Sequence, residues 1–108
     1  MLILTNRDNH VATVEFFEKN NYFGGNSNSF VFFEQRMLPA VNMEGKIYMK
    51  SRGEICLAPS GSGALLEAIR SSKAASEILN DVEFVHVVGV ENALCKILDP
   101  IQIGFTQS

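Results

Sequence analysis

Residues 55–68 read Ile-Cys-Leu-Ala-Pro-Ser-Gly-Ser-Gly-Ala-Leu-Leu-Glu-Ala: a short apolar run, a glycine-rich turn and the start of a helix. This order is common where a protein holds a phosphate or a nucleotide. Glycine allows the backbone to approach a ligand closely, and a helix N-terminus offers unpaired N–H groups. The spacing of Gly61, Ser62 and Gly63 matches neither GxGxxG nor GxxxxGK[ST]. By spacing alone, the stretch favours an ordinary strand-to-helix connection with Ser62 as the N-cap.

The sequence around this stretch predicts strands and helices in alternation. Apolar β-type runs predict strands at residues 1–4, 30–33, 47–49, 55–57 and 82–90, and periodic apolar residues predict helices at residues 9–20, at 65–70 and after Ser71-Ser72. The polar turn at residues 51–54 predicts a hairpin, and Asp99-Pro100 is expected to end a helical turn at residues 93–98. The order β-α-β, hairpin, α-α, β predicts an α/β fold with a mostly parallel sheet and an inserted hairpin.

Composition excludes several classes of protein. The chain has 108 residues, which favours one domain. Its net charge is −3 and its basic residues are scattered, so we expect it to bind neither nucleic acid nor an anionic membrane. The two cysteines form no CxxC pair, so we expect free buried thiols rather than a zinc site. No apolar run approaches the ~18 residues of a membrane span, and no signal peptide is evident, so we expect a cytoplasmic location. The predicted strand at residues 1–4 has no lead-in, which suggests a piece of a longer protein.

Polar residues at the ends of two predicted strands are candidates for ligand binding. Gln35 follows the strand at residues 30–33, and ligands of open α/β sheets lie outside the carboxyl ends of strands. Its amide offers a donor and an acceptor to a base edge, although a solvated loop glutamine is the alternative. Glu91 and Asn92 follow the strand at residues 82–90 and suit a metal or phosphate site, since Mg²⁺ binds carboxylates together with substrate oxygens. An N-cap by Asn92 is the alternative. His86 is expected as a core histidine, and His10 has no evident partner.

Several segments together resemble the eukaryotic UDP-N-acetylhexosamine pyrophosphorylases, in the order and at the spacing of that family. The resemblance covers nearly the whole chain. The segments are Thr13 with Phe16-Phe17 and Tyr22-Phe23-Gly24; Phe32-Phe33-Glu34-Gln35 with Leu38-Pro39-Ala40; Gly45-Lys46-Ile47; Ala58-Pro59-Ser60-Gly61-Ser62-Gly63; and Val90-Glu91-Asn92 with Leu94, Lys96, Asp99-Pro100 and Ile103-Gly104-Phe105.

The resemblance implies that residues 1–108 are part of a Rossmann-like nucleotidyltransferase domain. Enzymes of this family transfer a uridylyl group from UTP to N-acetylglucosamine 1-phosphate, which gives UDP-N-acetylglucosamine and pyrophosphate, with assistance from Mg²⁺. On this resemblance, Gln35, Gly61 and Glu91 would bind UTP, with Gln35 and the Gly61 backbone at the uracil. Ser62 and Asn92 would contact the sugar, and Glu91 would bind the metal ion.

This chain departs from the family pattern at important positions. Ser62 stands where the family has a sugar-contacting asparagine, and Glu91 stands where it has an aspartate. The family's glycine-rich phosphate loop, of the type LxGGxGTRLG, has no match here, and neither does its C-terminal phosphate-contacting lysine. We therefore expect a central segment of a uridylyltransferase that is inactive by itself. The alternatives are a non-catalytic remnant that still binds uridine nucleotides and a small α/β domain with an interaction role.

Overall fold

The computed structural model describes residues 1–107. Its strands are β1 Leu2–Thr5, β2 Val31–Glu34, β3 Met37–Pro39, β4 Met49–Ser51, β5 Glu54–Ile55 and β6 Leu57–Pro59. Its α-helices are α1 His10–Lys19, α2 Leu65–Ser71, α3 Lys73–Asn80 and α4 Pro100–Gln107. Short 3-10 turns lie at Asn21–Gly24, Ser27–Ser29 and Ser62–Ala64.

The first part of the chain forms a βαβ unit. Strand β1 pairs in parallel with β2, residue for residue from Leu2 opposite Val31 to Thr5 opposite Glu34. Helix α1 covers the pair, and the ring centroids of Phe17 and Phe32 lie 5.1 Å apart. The strands predicted at residues 1–4 and 30–33 and the helix predicted at residues 9–20 are confirmed. The carboxyl ends of β1 and β2 therefore meet at one edge, which is where a parallel sheet places ligand-binding groups.

A small core joins this unit to the helices that follow the glycine-rich turn. Phe33, Ala68 and Ala75 are buried, with Leu2, Leu4, Leu65 and Ile69 packed around them. Helix α3 begins as predicted, because the Ser72 hydroxyl caps it by accepting a hydrogen bond from the Ala75 N–H at 3.3 Å. The core therefore holds α2, and with it the glycine-rich turn, close to β2.

Residues 37–59 form an antiparallel insertion. Strand β3 pairs with β6, and β4 pairs with β5 across the turn that the sequence predicts. Three further backbone hydrogen bonds hold the insertion together. The Ala40 N–H donates to Cys56 O at 2.9 Å, the Tyr48 N–H donates to Ala40 O at 2.8 Å, and the Cys56 N–H donates to Tyr48 O at 2.8 Å. The inserted hairpin is confirmed, and its return strand β6 leads directly into the glycine-rich turn.

The predicted mostly parallel sheet does not form among residues 1–107. One two-stranded sheet is parallel and two are antiparallel, so the fold is α/β with small sheets. The prediction required residues 82–90 to join β1 and β2. These residues are instead exposed and irregular, and their backbone makes no strand-to-strand hydrogen bond within the described chain. An apolar β-type run becomes a strand only when a neighbouring strand supplies ladder partners.

The prediction for Asp99-Pro100 is also wrong. Pro100 is the first residue of α4, and the Asp99 carboxylate accepts a hydrogen bond from the Ile101 N–H at 3.0 Å. Proline is favoured at the first position of a helix, where its missing N–H has no intrahelical partner to lose, and aspartate is a strong N-cap. The Asp-Pro pair therefore begins a helix rather than ending one. No helix among residues 1–107 has the length and apolar character needed to cross a membrane.

Candidate functional site

Gln35 and Gly61, which lie far apart in the sequence, meet at the carboxyl edge of β2. The Gly61 N–H donates a hydrogen bond to Gln35 Oε1 at 2.7 Å. Gly61 has φ 86° and ψ −179°, a conformation that is essentially restricted to glycine. The glycine is therefore required for the backbone to present its N–H at this place.

The contact with Gly61 determines which end of the Gln35 amide faces outward. A backbone N–H can only donate, so the Gln35 oxygen must face it. The Nε2 group has no hydrogen-bond partner among the described residues, so its two donors are available to a ligand. A base edge with an acceptor oxygen, such as that of uracil, has the complementary chemistry.

A small open cavity of about 180 Å³ lies beside Gln35 and is bounded by the β2 edge and helix α2. Its lining residues are Glu34, Gln35, Arg36, Ala64, Glu67, Ala68 and Ser71. Sites for drug-sized ligands usually have roughly 300–1,000 Å³, so this cavity suits a fragment such as a single ring rather than a whole nucleotide.

Arg36 links the β2 edge to the glycine-rich turn and to α2. Its guanidinium Nη2 lies 2.5 Å from Glu67 Oε1, and its backbone carbonyl accepts a hydrogen bond from the Ser60 N–H at 3.0 Å. The Ser60 hydroxyl is buried without a hydrogen-bond partner in the described chain. Sequence reasoning did not select Arg36 or Glu67, because a charged pair at a loop and on a helix surface has no motif.

A second polar cluster lies at the same edge and was also missed. His10 Nδ1 lies 2.7 Å from Thr5 Oγ1 and 3.6 Å from Glu34 Oε1. Thr5 is buried and donates its hydroxyl proton to the Phe33 carbonyl at 3.1 Å, so the hydrogen between Thr5 and His10 belongs to His10 Nδ1. The rule that selected Gln35 could have found this cluster, since Thr5 ends β1 and His10 begins the helix that follows.

The other predicted site residues do not join the Gln35–Gly61 contact. Ser62 is exposed in the 3-10 turn, and Gly61 rather than Ser62 occupies the N-cap position, so the predicted capping role is wrong. Glu91 and Asn92 are exposed in a local turn, where the Asn92 N–H donates to Gly89 O at 3.0 Å. No hydrogen bond or ion pair within residues 1–107 connects the side chains of Glu91 and Asn92 to Gln35.

The described residues contain no cluster of three or more His, Cys, Asp or Glu side chains that could hold a metal ion. A magnesium ion does not require such a cluster, since it commonly binds one or two carboxylates together with substrate phosphates. The exposed carboxylate of Glu91 fits the role of a single protein ligand.

The remaining predicted histidine and the cysteines have different surroundings from those expected. His86 is exposed rather than in the core, and its Nε2 lies 3.6 Å from Cys95 Sγ. Cys56 and Cys95 are free thiols, as the sequence predicted, but both are half-buried rather than buried.

Comparison with protein families matches residues 1–107 to the family described as UTP–glucose-1-phosphate uridylyltransferase. Among curated relatives, UDP-N-acetylhexosamine pyrophosphorylase-like protein 1 of Homo sapiens is 40% identical over 94 residues, covering 86% of this chain and 18% of that protein. The UDP-N-acetylglucosamine pyrophosphorylase of Saccharomyces cerevisiae is 36% identical over 105 residues, covering 95% of this chain and 22% of that protein. The chain therefore spans about a fifth of the length of these relatives.

Solved structures give a consistent result. A crystal structure assigned to the UDP-N-acetylglucosamine pyrophosphorylases, from Entamoeba histolytica, superimposes with a TM-score of 0.64 at 30% identity, covering 73% of this chain and 20% of that one. The inhibitor-bound enzyme of the same name from Trypanosoma brucei gives 0.54 at 40% identity, covering 63% of this chain and 13% of that one. The resemblance drawn from the sequence is confirmed.

Proposed function

The chain belongs to the UTP–glucose-1-phosphate uridylyltransferase family, and we propose that it carries the uridine half-site of a UDP-N-acetylglucosamine pyrophosphorylase. The observation that supports this most is the hydrogen bond from the Gly61 N–H to Gln35 Oε1 at 2.7 Å. It unites two residues that sequence resemblance alone assigns to uracil. In this proposal, the Gln35 amino group donates to a uracil carbonyl while the Gly61 backbone borders the same base.

The proposed reaction is uridylyl transfer to an amino-sugar phosphate. A phosphate oxygen of N-acetylglucosamine 1-phosphate attacks the α-phosphorus of UTP, pyrophosphate leaves, and UDP-N-acetylglucosamine forms. The protein contributes mainly by holding the two substrates in line, since positioning supplies much of the rate in such transfers. Gln35 and Gly61 would orient the nucleotide, while Ser62 and Asn92 would contact the sugar.

Glu91 is the residue that we propose as a ligand of Mg²⁺, which would neutralise phosphate charge when bound. In the described chain no hydrogen bond or ion pair joins its carboxylate to Gln35 or Gly61. We further propose that the segment is part of a Rossmann-like domain of a cytoplasmic protein, in which the parallel pair of β1 and β2 is one portion of the sheet.

A binding-only role is the second candidate. The observation that favours it is the replacement of the family's asparagine and aspartate by Ser62 and Glu91. In the described chain, moreover, no hydrogen bond joins Glu91 or Asn92 to Gln35. In this case, the chain would bind uridine nucleotides without transferring the uridylyl group.

Calorimetric titration of the 108-residue chain with UTP and with UDP-N-acetylglucosamine, with and without Mg²⁺, tests the proposal. We expect saturable binding that Gln35→Ala weakens by about tenfold, the effect of losing one good hydrogen bond. Gln102→Ala, which changes an exposed glutamine of α4, is the matched control and should leave binding unchanged. Absence of binding by a folded chain would contradict the uridine half-site.

A separate assay of UDP-sugar synthesis distinguishes the two candidates. We expect the isolated chain to form no UDP-N-acetylglucosamine from UTP and N-acetylglucosamine 1-phosphate. Product formation that exceeds the rate of a Gln35→Ala control would contradict the expected inactivity and exclude the binding-only role.

A further inference from the structure

Three consecutive side chains at the end of β2 each contact a different element. Glu34 approaches His10 of α1 at 3.6 Å, and Gln35 accepts the hydrogen bond from Gly61 at 2.7 Å. Arg36 pairs with Glu67 of α2 at 2.5 Å. Gln35 is therefore bordered on both sides by residues that are themselves held.

Arg36 is held through both its backbone and its side chain. Its carbonyl oxygen accepts from the Ser60 N–H at 3.0 Å, one residue before Gly61, while its guanidinium reaches Glu67 on α2. The peptide that follows Gln35 is thus attached to the glycine-rich turn through the backbone and to α2 through a side chain. Arg36 and Glu67 both line the cavity beside Gln35.

We propose that Arg36 and Glu67 are positioning residues for the uridine half-site and act by holding Gln35 against Gly61. This inference rests on the proposed function. A glutamine side chain has several rotatable bonds, so an amide that reads a base must be held before the ligand arrives. The ion pair with Glu67 supplies that restraint from α2.

Charge reversal separates this role from a direct contact with the ligand. The probe is uridine, which is uncharged, so that changes in charge on the protein do not alter binding through long-range attraction. We expect Glu67→Arg and Arg36→Glu each to weaken uridine binding by about fivefold, the size expected from an exposed ion pair. The double variant, which restores an ion pair with the charges exchanged, should recover most of the affinity.

Glu77→Arg is the matched control for charge. Glu77 pairs with Lys73 at 3.8 Å on the exposed face of α3, so its reversal changes net charge by the same amount as Glu67→Arg without touching Arg36. Uridine affinity should stay at the parent value. An equal loss in Glu77→Arg, or no recovery in the double variant, would overturn the positioning role.

Hydrogen exchange of the Gly61 amide gives a second readout, measured by NMR without ligand. The conservative variant Glu67→Gln should increase Gly61 N–H exchange about fivefold and leave the Gly63 amide unchanged, since only Gly61 bonds to Gln35. Unchanged Gly61 exchange would overturn the inference even if uridine binds. If the parent chain fails to bind uridine while Gly61 exchange responds as expected, the proposed function fails and the structural coupling stands.

Discussion

Two apolar β-type segments of this chain have opposite outcomes. Residues 30–33 read Phe-Val-Phe-Phe, and the last three of them lie in strand β2, where Phe33 is only 4% exposed. Residues 82–90 read Val-Glu-Phe-Val-His-Val-Val-Gly-Val and form no strand, with Val87 66% exposed. The difference is the partner: β2 has β1 beside it, whereas residues 82–90 have no strand beside them in the described chain.

This comparison divides the chain into residues 1–80 and residues 82–99. The two parts differ in their contacts between distant residues rather than in their local apolar pattern. In residues 1–80, β2 contacts β1, α1, α2 and α3. In residues 82–99, the backbone hydrogen bonds join residues at most four apart. A change in the first part should therefore affect the whole fold, and one in the second part should not.

The largest expected effect concerns the buried ring of β2. Phe33→Ala removes a core side chain, so the free energy of unfolding should fall by about 3 kcal/mol or more. Val87→Ala, in the exposed segment, should change it by less than about 0.5 kcal/mol. Urea denaturation followed by circular dichroism measures both. Similar losses in the two variants would mean that residues 82–90 pack against the rest of the molecule.

An intermediate effect is expected at the glycine-rich turn. In Gly61→Ala, the added Cβ would have no neighbouring atom within 4 Å. The φ of +86° and ψ of −179° at this position are, however, essentially accessible only to glycine. The free energy of unfolding should fall by about 1–3 kcal/mol because of backbone strain.

Gly63→Ala is the matched control for that variant. Gly63 also has open space around it and has no positive φ, so stability should stay nearly constant. If both variants are equally stable, then the Gly61 conformation, and with it the long-range hydrogen bond to Gln35, is not a stable feature of the chain.

The smallest effect concerns a local contact inside the well-connected part. Hydrogen bonds from Lys50 at 3.2 Å and Ser51 at 3.1 Å, together with the Lys50 charge, lower the pKa of Glu54 below 4.5. A lowered pKa in the folded state means that the contribution to stability is present above about pH 4.5 and is lost as the pH falls through the folded pKa.

An NMR titration of Glu54 measures this effect. The midpoint should lie below 4.5 in the parent chain and move toward 4.5 in Lys50→Met. Because the Glu54 side chain is exposed, Glu54→Gln should have only a small effect on unfolding at neutral pH. A large effect would mean that local contacts matter as much as the long-range ones.

The sequence predicted much of the local structure correctly. Helix α1, the strands β1 and β2, the hairpin and the cap at Ser72 follow from apolar periodicity and polar turn residues close in sequence. The prediction failed at residues 82–90 and at Asp99-Pro100. The first failure arose because β-type composition does not reveal whether a partner strand exists. The second arose because proline, which cannot continue a helix, is favoured at the first position of one.

The residues of the candidate site also fall into two groups, those that could be selected from the sequence and those that could not. Gln35 could be selected from sequence because it follows a strand, and Gly61 because it lies in a glycine-rich turn. Arg36 and Glu67 could not be selected, since their ion pair joins residues that are distant in sequence.

The sequence by itself determined which segments can become helices, strands and turns, because these depend on residues that are near one another. It also determined the family to which the chain belongs, because family membership depends on the order of the residues. Only the tertiary structure decided that Gln35 contacts Gly61, that Arg36 pairs with Glu67, and that residues 82–90 stay unpaired. Hydrogen bonds and ion pairs act over a few ångströms, and only folding brings residues that are distant in sequence within that range.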